Sequence, residues 1–223
     1  MTHIEEVLGS LNKELTSMAL LVLNQLKKAK QSLLGFDKSI ANEVLHSEKR
    51  VNALELSIDK LCENIVALYG PVAKDMRMIF SYFKINSHLE RVGDYAKNIA
   101  KEISEMEKPY DDELLKQLKI EHMFEIVDEM IGQNLAAIAT NDAQAAHSVF
   151  KMDIELDKLN AAGNKIIANY IMSNKSDIEP ILNLSTTLRR LERVGDYNTN
   201  IAEELIFYFD AVVLKHNTSS NKS

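Results

Sequence analysis

Apolar residues recur every three or four positions through most of the chain, the period of amphipathic helices. In the first helix Leu8, Leu11, Leu15, Met18, Val22, Leu26 and Ala29 form one stripe, and the Leu34-Gly35-Phe36-Asp37 stretch reads as its end. A second stripe follows at once through Val44, Val51, Leu54, Ile58, Leu61, Ile65 and Leu68. It stops at Gly70-Pro71, where glycine admits a left-handed residue and proline cannot continue a helix. The third helix begins near Ala73 and runs through Met78, Tyr82, Ile85, Leu89, Val92, Ala96, Ile99, Ile103 and Met106. It closes at Lys108-Pro109, because the residue before proline disfavours helical geometry.

The second half repeats the plan, with helices expected from Asp112 to Thr140, Asn141 to Asn174, and Ile178 to His216. Asn141-Asp142 and Ser176-Asp177 supply caps for the last two, and Pro180 suits a first turn, where no donor is lost. The polar tail from Asn217 to Ser223 is expected to be disordered. No strand pattern competes, so the expected fold class is all-α, with six long helices in two repeats, 1–108 and 109–216.

Only 7 glycines and 3 prolines in 223 residues agree with long helices and short connections. The 46% apolar and 26% charged residues are those of a water-soluble globular chain. No stretch approaches the roughly 18 consecutive apolar residues of a membrane span. Met1 to Ser10 carries no basic region followed by an apolar one, so a protein that stays in the cytoplasm is expected. The lone Cys62 makes no disulfide framework. Acids outnumber bases by 33 to 26, and the net charge of -7 argues against broad binding to nucleic acid or anionic membrane. Cations and basic protein surfaces are the partners such a chain attracts.

The repeat is more than periodicity. Leu89-Glu90-Arg91-Val92-Gly93-Asp94-Tyr95 recurs 102 residues later as Leu191-Glu192-Arg193-Val194-Gly195-Asp196-Tyr197, and Asn98-Ile99-Ala100 recurs as Asn200-Ile201-Ala202. An amphipathic pattern alone reproduces hydrophobicity, not Glu, Arg, Gly, Asp and Asn in register, so the halves read as a duplication.

Glu90, Asp94 and Asn98 are spaced by four and stack on one helix face, as do Glu192, Asp196 and Asn200. With Leu89 facing the core, Glu90 lies about 100° round the helix, so the strip flanks the core and then turns to solvent. Two carboxylates four apart repel each other, which calls for a compensating cation. Arg91 and Arg193 point roughly 100° away from their neighbouring Glu and are expected to pair with another helix. A metal ion is then the sharper candidate, and oxygen donors suit magnesium, manganese or iron. Glu48 with Asn52, and Asp153 with Asp157, repeat the four-residue spacing on the preceding helices and are weaker candidate ligands. The plain alternative is a solvated acidic face, the usual fate of helix-surface charge. A mid-helix glycine in each copy, at about 1 kcal/mol relative to alanine, favours a specific role, close helix packing included. No glycine-rich phosphate loop, nucleophile elbow or histidine cluster appears.

Glu-Arg-Val-Gly-Asp-Tyr followed by Asn-Ile-Ala, once per half, resembles the duplicated signature of the PhoU family of phosphate-signalling proteins. Pro71-Val72-Ala73-Lys74-Asp75-Met76-Arg77 resembles the family's turn into its third helix, and the resemblance covers nearly the whole chain. It implies two three-helix bundles side by side, with Glu90, Asp94, Glu192 and Asp196 among the holders of iron, magnesium, manganese or zinc ions. It further implies no enzyme. The expected role is a cytoplasmic, homodimeric negative regulator of phosphate uptake and of the phosphate-starvation response, connecting the cytoplasmic components of a phosphate transporter to a sensor histidine kinase. Ser176-Asp177-Ile178-Glu179-Pro180 replaces the Pro-Val-Ala turn in the second half, so the halves can differ in partner contacts. Two alternatives stand beside this reading. One is a di-iron carboxylate enzyme in a helical bundle, disfavoured because no Glu-x-x-His pair occurs at matching positions on two helices. The other is a metal-independent helical adaptor.

Overall fold

A computed structural model describes residues 3–173 and 178–214. The chain forms α1 (His3–Gly35), α2 (Lys38–Tyr69), α3 (Ala73–Glu105), α4 (Asp112–Gln117), α5 (Ile120–Thr140), α6 (Gln144–Ser173) and α7 (Ile178–Asp210). Among the described residues there is no strand, and no helix is long and apolar enough to cross a membrane. Helices α1, α2 and α3 pack mutually, as do α5, α6 and α7, and the two bundles meet through α3 against α7 and α1 against α5.

The apolar stripes account for this packing. Every stripe residue of α1 is buried, and so is the α3 stripe from Met78 to Ile103. Each fully buried Leu or Ile contributes roughly 1.5–3 kcal/mol. In α2 the seven-residue spacing drifts against the 3.6-residue turn. Val44, Val51, Ile58 and Ile65 stay buried while Leu68 ends 73% exposed.

Helix ends follow local chemistry. Asp37 caps α2, its Oδ1 accepting from the Ser39 and Ile40 amides at 2.8 and 3.1 Å. Gly70 ends α2 at φ 56°. The expected helix from Asp112 to Thr140 is in fact two, because Lys119 takes φ 53° and breaks it after Leu118. Asn141 closes α5 in the left-handed region at φ 54° instead of opening the next helix, which starts at Gln144 with its amide on Asp142 Oδ1. Helix α3 stops at Glu105 and α7 at Asp210, each short of the sequence expectation. The Ser176-Asp177 cap, His216 and the tail lie outside the described residues.

Candidate functional site

The buried seam between α3 and α7 sets the two copies of the repeated motif against each other. The helices run antiparallel: Lys84 pairs with Glu204 at 3.1 Å, the Tyr95 and Tyr197 rings stand 6.0 Å apart, and Glu102 takes Arg190 at 2.5 Å. Tyr95 and Tyr197 are counterparts in the repeat, and so are Glu102 and Glu204, so the contact is pseudo-two-fold about the tyrosine pair. The tyrosines are packing groups on each other. Burial raises the Tyr95 phenol pKa, the Tyr197 hydroxyl and Asp196 add to the rise, and Arg193 and Arg91 oppose it. Charge at one motif is therefore felt at the other.

On its outer flank each motif faces the preceding helix across a close approach. Gly93 and Gly195 are both buried beneath it. A Cβ on Gly93 would lie 3.0 Å from Gln25 Oε1 and 3.4 Å from Val51 Cγ1. One on Gly195 would lie 2.5 Å from Leu156 Cδ2 and 2.9 Å from Asp153 Oδ1. The glycines thus set the spacing that brings acids of α2 and α6 up to the motifs.

In the first motif the Glu90 side chain is 17% exposed and that of Asp94 30%, while Asn98 is exposed. Burial raises the Glu90 pKa, and the adjacent carboxylates of Asp94 and Glu55 raise it further. Glu55 is raised likewise, by burial first and then by Asp59 and Asp94, with Arg91 opposing. Arg91 acts on Glu55 of the preceding helix, but the ion pairs it makes among the described residues are with its own helix. Its long side chain folds back to Glu90 at 3.6 Å and Asp94 at 3.7 Å. Glu48 reaches the motif through Lys97, which donates to it and stands 3.5 Å from Asp94 Oδ1. Asn52 is exposed. Glu55 and Asp59, absent from the sequence candidates, lie seven and eleven residues after Glu48 on the same face and are themselves four apart, so the spacing that marks Glu48 with Asn52 marks them as well. Buried Asn86 sits one turn before Glu90 and donates to Asp59 Oδ1 and the Glu55 carbonyl, both at 2.9 Å.

In the second motif burial raises the Glu192 pKa, with Asp196 and Asp157 adding to it. Arg193 folds back like Arg91, 3.7 Å from Glu192 and 2.8 Å from Asp196. Asn200 is half-buried at the strip's end. Asp153 lies against Gly195, and Asp157 acts on Glu192, so α6 brings both of its candidate acids to this seam.

Hard cations take oxygen donors, and each motif presses a half-buried Glu against a second acid, so the donor chemistry fits such an ion. Among the described residues no group of three Asp, Glu, His or Cys side chains is gathered closely enough to hold a metal as the side chains stand. The acids lie beside the bundle cores. Glu204, at the seam between bundles, is the one buried acid among the described residues, and no inward carboxylate cluster of the di-iron kind forms.

Fold and site together define a duplicated helical protein carrying one glycine-spaced acidic motif on each half. The PhoU domain model matches residues 15–103 and 120–205, and the chain belongs to the PhoU family. It is 32% identical over 203 residues to a Zymomonas mobilis protein named as a phosphate-specific transport system accessory protein PhoU homolog, covering 91% of this chain and 85% of that one. An Aquifex aeolicus protein of the same description is 32% identical over 205 residues, covering 92% and 91%. The crystal structure of PhoU from Pseudomonas aeruginosa superposes with a TM-score of 0.85 at 29% identity, covering 94% of this chain and 100% of that one. That of the phosphate transport system regulatory protein PhoU from Streptococcus pneumoniae gives 0.85 at 25%, covering 95% and 99%.

Proposed function

We propose that this protein is a cytoplasmic regulatory accessory of phosphate transport. It docks on the cytoplasmic components of a phosphate transporter and on a sensor histidine kinase, and it restrains phosphate uptake and the phosphate-starvation response. The observation that carries this is likeness along nearly the whole chain, in sequence and in fold, to relatives named for that system. The reading takes the working form to be a homodimer and the repeats to divide at 108–109, in the connection before α4.

The same reading gives the motifs a divalent cation or iron. Glu90, Asp94, Glu192 and Asp196 are its main holders, Asn98 and Asn200 lie at the strip ends, and Glu48, Asn52, Asp153 and Asp157 are supplied by the facing helices. The cation neutralises crowded carboxylates and stiffens each seam. The test is the quadruple variant Glu90→Ala/Asp94→Ala/Glu192→Ala/Asp196→Ala, scored for metal content and for repression of phosphate-starvation genes. Loss of both supports the reading, and unchanged values for both refute it.

A metal-independent adaptor is favoured by one observation: no three acids converge among the described residues. Loss of metal with intact repression selects that version.

A further inference from the structure

Glu102 and Glu204 are counterparts in the repeat, yet the chain covers them differently. After α3 ends at Glu105, the connection brings Tyr110 back over the seam, where it is buried and its hydroxyl donates to Glu102 beside Arg190. Helix α7 runs on to Asp210, three residues past Phe207, the counterpart of Glu105. Val212, at the place of Tyr110 in the repeat, is 47% exposed. Beside Glu204 lies a cavity of about 80 Å³, lined by Lys84, Glu203, Glu204, Phe207, Val213 and Leu214. It opens to solvent between the exposed side chains of Lys84 and Val213. Lys84 pairs with Glu204 at 3.1 Å and stands 5.9 Å from the centre of the Phe207 ring. Phe80, one turn before Lys84 on the same face of α3, is 52% exposed, and Phe83 is 42% exposed. Apolar surface gathered in this way around one cavity marks a place of contact.

We propose that this cavity takes a tyrosine side chain of a partner protein, seated beside Glu204 as Tyr110 is seated on Glu102. The first half carries out the same recognition within the chain: a buried phenol ring donates its hydroxyl to a glutamate already held by a base. The cavity offers those elements again, a glutamate held by a base and the apolar walls of Phe207, Val213 and Leu214, although Lys84 and Arg190 are not counterparts. A carboxylate accepts several hydrogen bonds, so a phenol adds to the Lys84 contact and does not displace it. Phe80 and Phe83 receive the apolar neighbours of that tyrosine. The occupant does not come from this chain. Residues 215–223 contain no tyrosine. All seven tyrosines lie earlier, each buried or half-buried in its own fold, which leaves none for a second copy to offer. The docking role rests on the regulatory reading above, and the chemistry of the cavity does not.

The probe is p-cresol, the side chain of tyrosine, titrated onto the full chain while the Leu214 methyl signals are followed by NMR. Toluene, the same ring without the hydroxyl, is the control. The expected result is a saturable shift with p-cresol at a Kd about tenfold below that of toluene, the scale of one hydrogen bond to a charged group. Val213→Trp and Glu203→Trp each put a ring into the cavity from its lining, and each is expected to abolish the shift. No saturable shift, equal affinity for toluene, or a shift that survives in both variants overturns the assignment. Docking is read separately, from repression of phosphate-starvation genes in strains carrying wild type, Val213→Trp or no copy. Repression by wild type and its loss in Val213→Trp are expected. Repression by Val213→Trp equal to wild type overturns the docking role, whereas equal expression with wild type and with no copy overturns the regulatory reading itself.

Discussion

Alanine at each mid-helix glycine separates two roles that glycine plays in long helices. Relative to alanine a glycine in a helix interior costs about 1 kcal/mol, so substitution stabilises wherever the new methyl finds room. At Gly132 on α5 nothing lies within 4 Å of the added Cβ, and Gly132→Ala is expected to stabilise by about 1 kcal/mol. At Gly195 the Cβ would meet Leu156 Cδ2 at 2.5 Å and Asp153 Oδ1 at 2.9 Å. Leu156 is fully buried, so its methyl gives way only by displacing core neighbours. Overpacking of this kind costs about 1–3 kcal/mol, which outweighs the propensity gain, so Gly195→Ala is expected to destabilise by about 1–2 kcal/mol net. Gly93 falls between, its contacts at 3.0 and 3.4 Å being relieved by a small shift of the Gln25 amide, and Gly93→Ala should be near neutral. For a chain of this length each kcal/mol moves Tm by about 2–4 °C, so thermal unfolding followed by circular dichroism orders the three readily. A rise in Tm for Gly195→Ala matching that of Gly132→Ala would refute the claim that this glycine exists for helix contact.

Three further expectations concern charges between the bundles. Asp128, half-buried on α5 near Lys27 and Lys30, has its pKa raised from 3.8 to about 6, by burial first. The folded state therefore holds the proton more tightly than the unfolded chain, and stability falls as pH rises from about 4 to 6, with the full penalty present above 6. The shift corresponds to about 3 kcal/mol as an upper bound and about 1–2 kcal/mol once its partial exposure is allowed for. Asp128→Asn should remove that slope and gain stability at pH 7.5 in urea unfolding, and an unchanged slope would show that Asp128 titrates normally. Glu102 is 10% exposed and takes both Arg190 and the Tyr110 hydroxyl. Glu102→Ala should lose about 2–4 kcal/mol by leaving both donors short of a partner, measured by the same unfolding. Lys84→Met removes the Lys84 ammonium from Glu204, whose side chain is 3% exposed, and should cost more than the charge-neutralising Glu204→Gln; the reverse order would count against a charge held by Lys84.

The stripes from Leu8 to Ala29 and from Met78 to Ile103 were legible because a 3.6-residue period leaves little freedom over about six or seven turns. The break after Leu118 was not. Leu114, Leu115 and Leu118 lead into Ile120, Met123 and Val127 without a gap in apolar residues, and Lys119 reaches the left-handed region with no Gly, Asn or Pro to announce it. Tertiary packing on both sides sets that bend, which local pattern does not record. At the motifs, identity between halves marked Glu90, Asp94, Glu192 and Asp196 directly. Arg91 and Arg193 reach back to acids of their own helix because their side chains are long, which direction on the helix surface does not express. The seam residues Glu102, Arg190, Lys84 and Glu204 pair across 88 and 120 positions, and nothing in a single helix's periodicity says that α3 meets α7.

The seam couples the two halves at positions that are counterparts in the repeat. Tyr95 faces Tyr197 across the pseudo-two-fold, so a change in either alters the partner's surroundings as well as its own. Glu102 and Glu204 are each held by a basic residue of the other half, though the two bases, Arg190 and Lys84, are not counterparts in the repeat. Position 97 and its counterpart 199 point instead to the outer flank, one toward Glu48 of α2 and the other back to its own helix. A substitution there disturbs one motif without unseating the contact between bundles. The Lys97-to-Thr199 difference thus leaves the Tyr95–Tyr197 contact between the bundles in place.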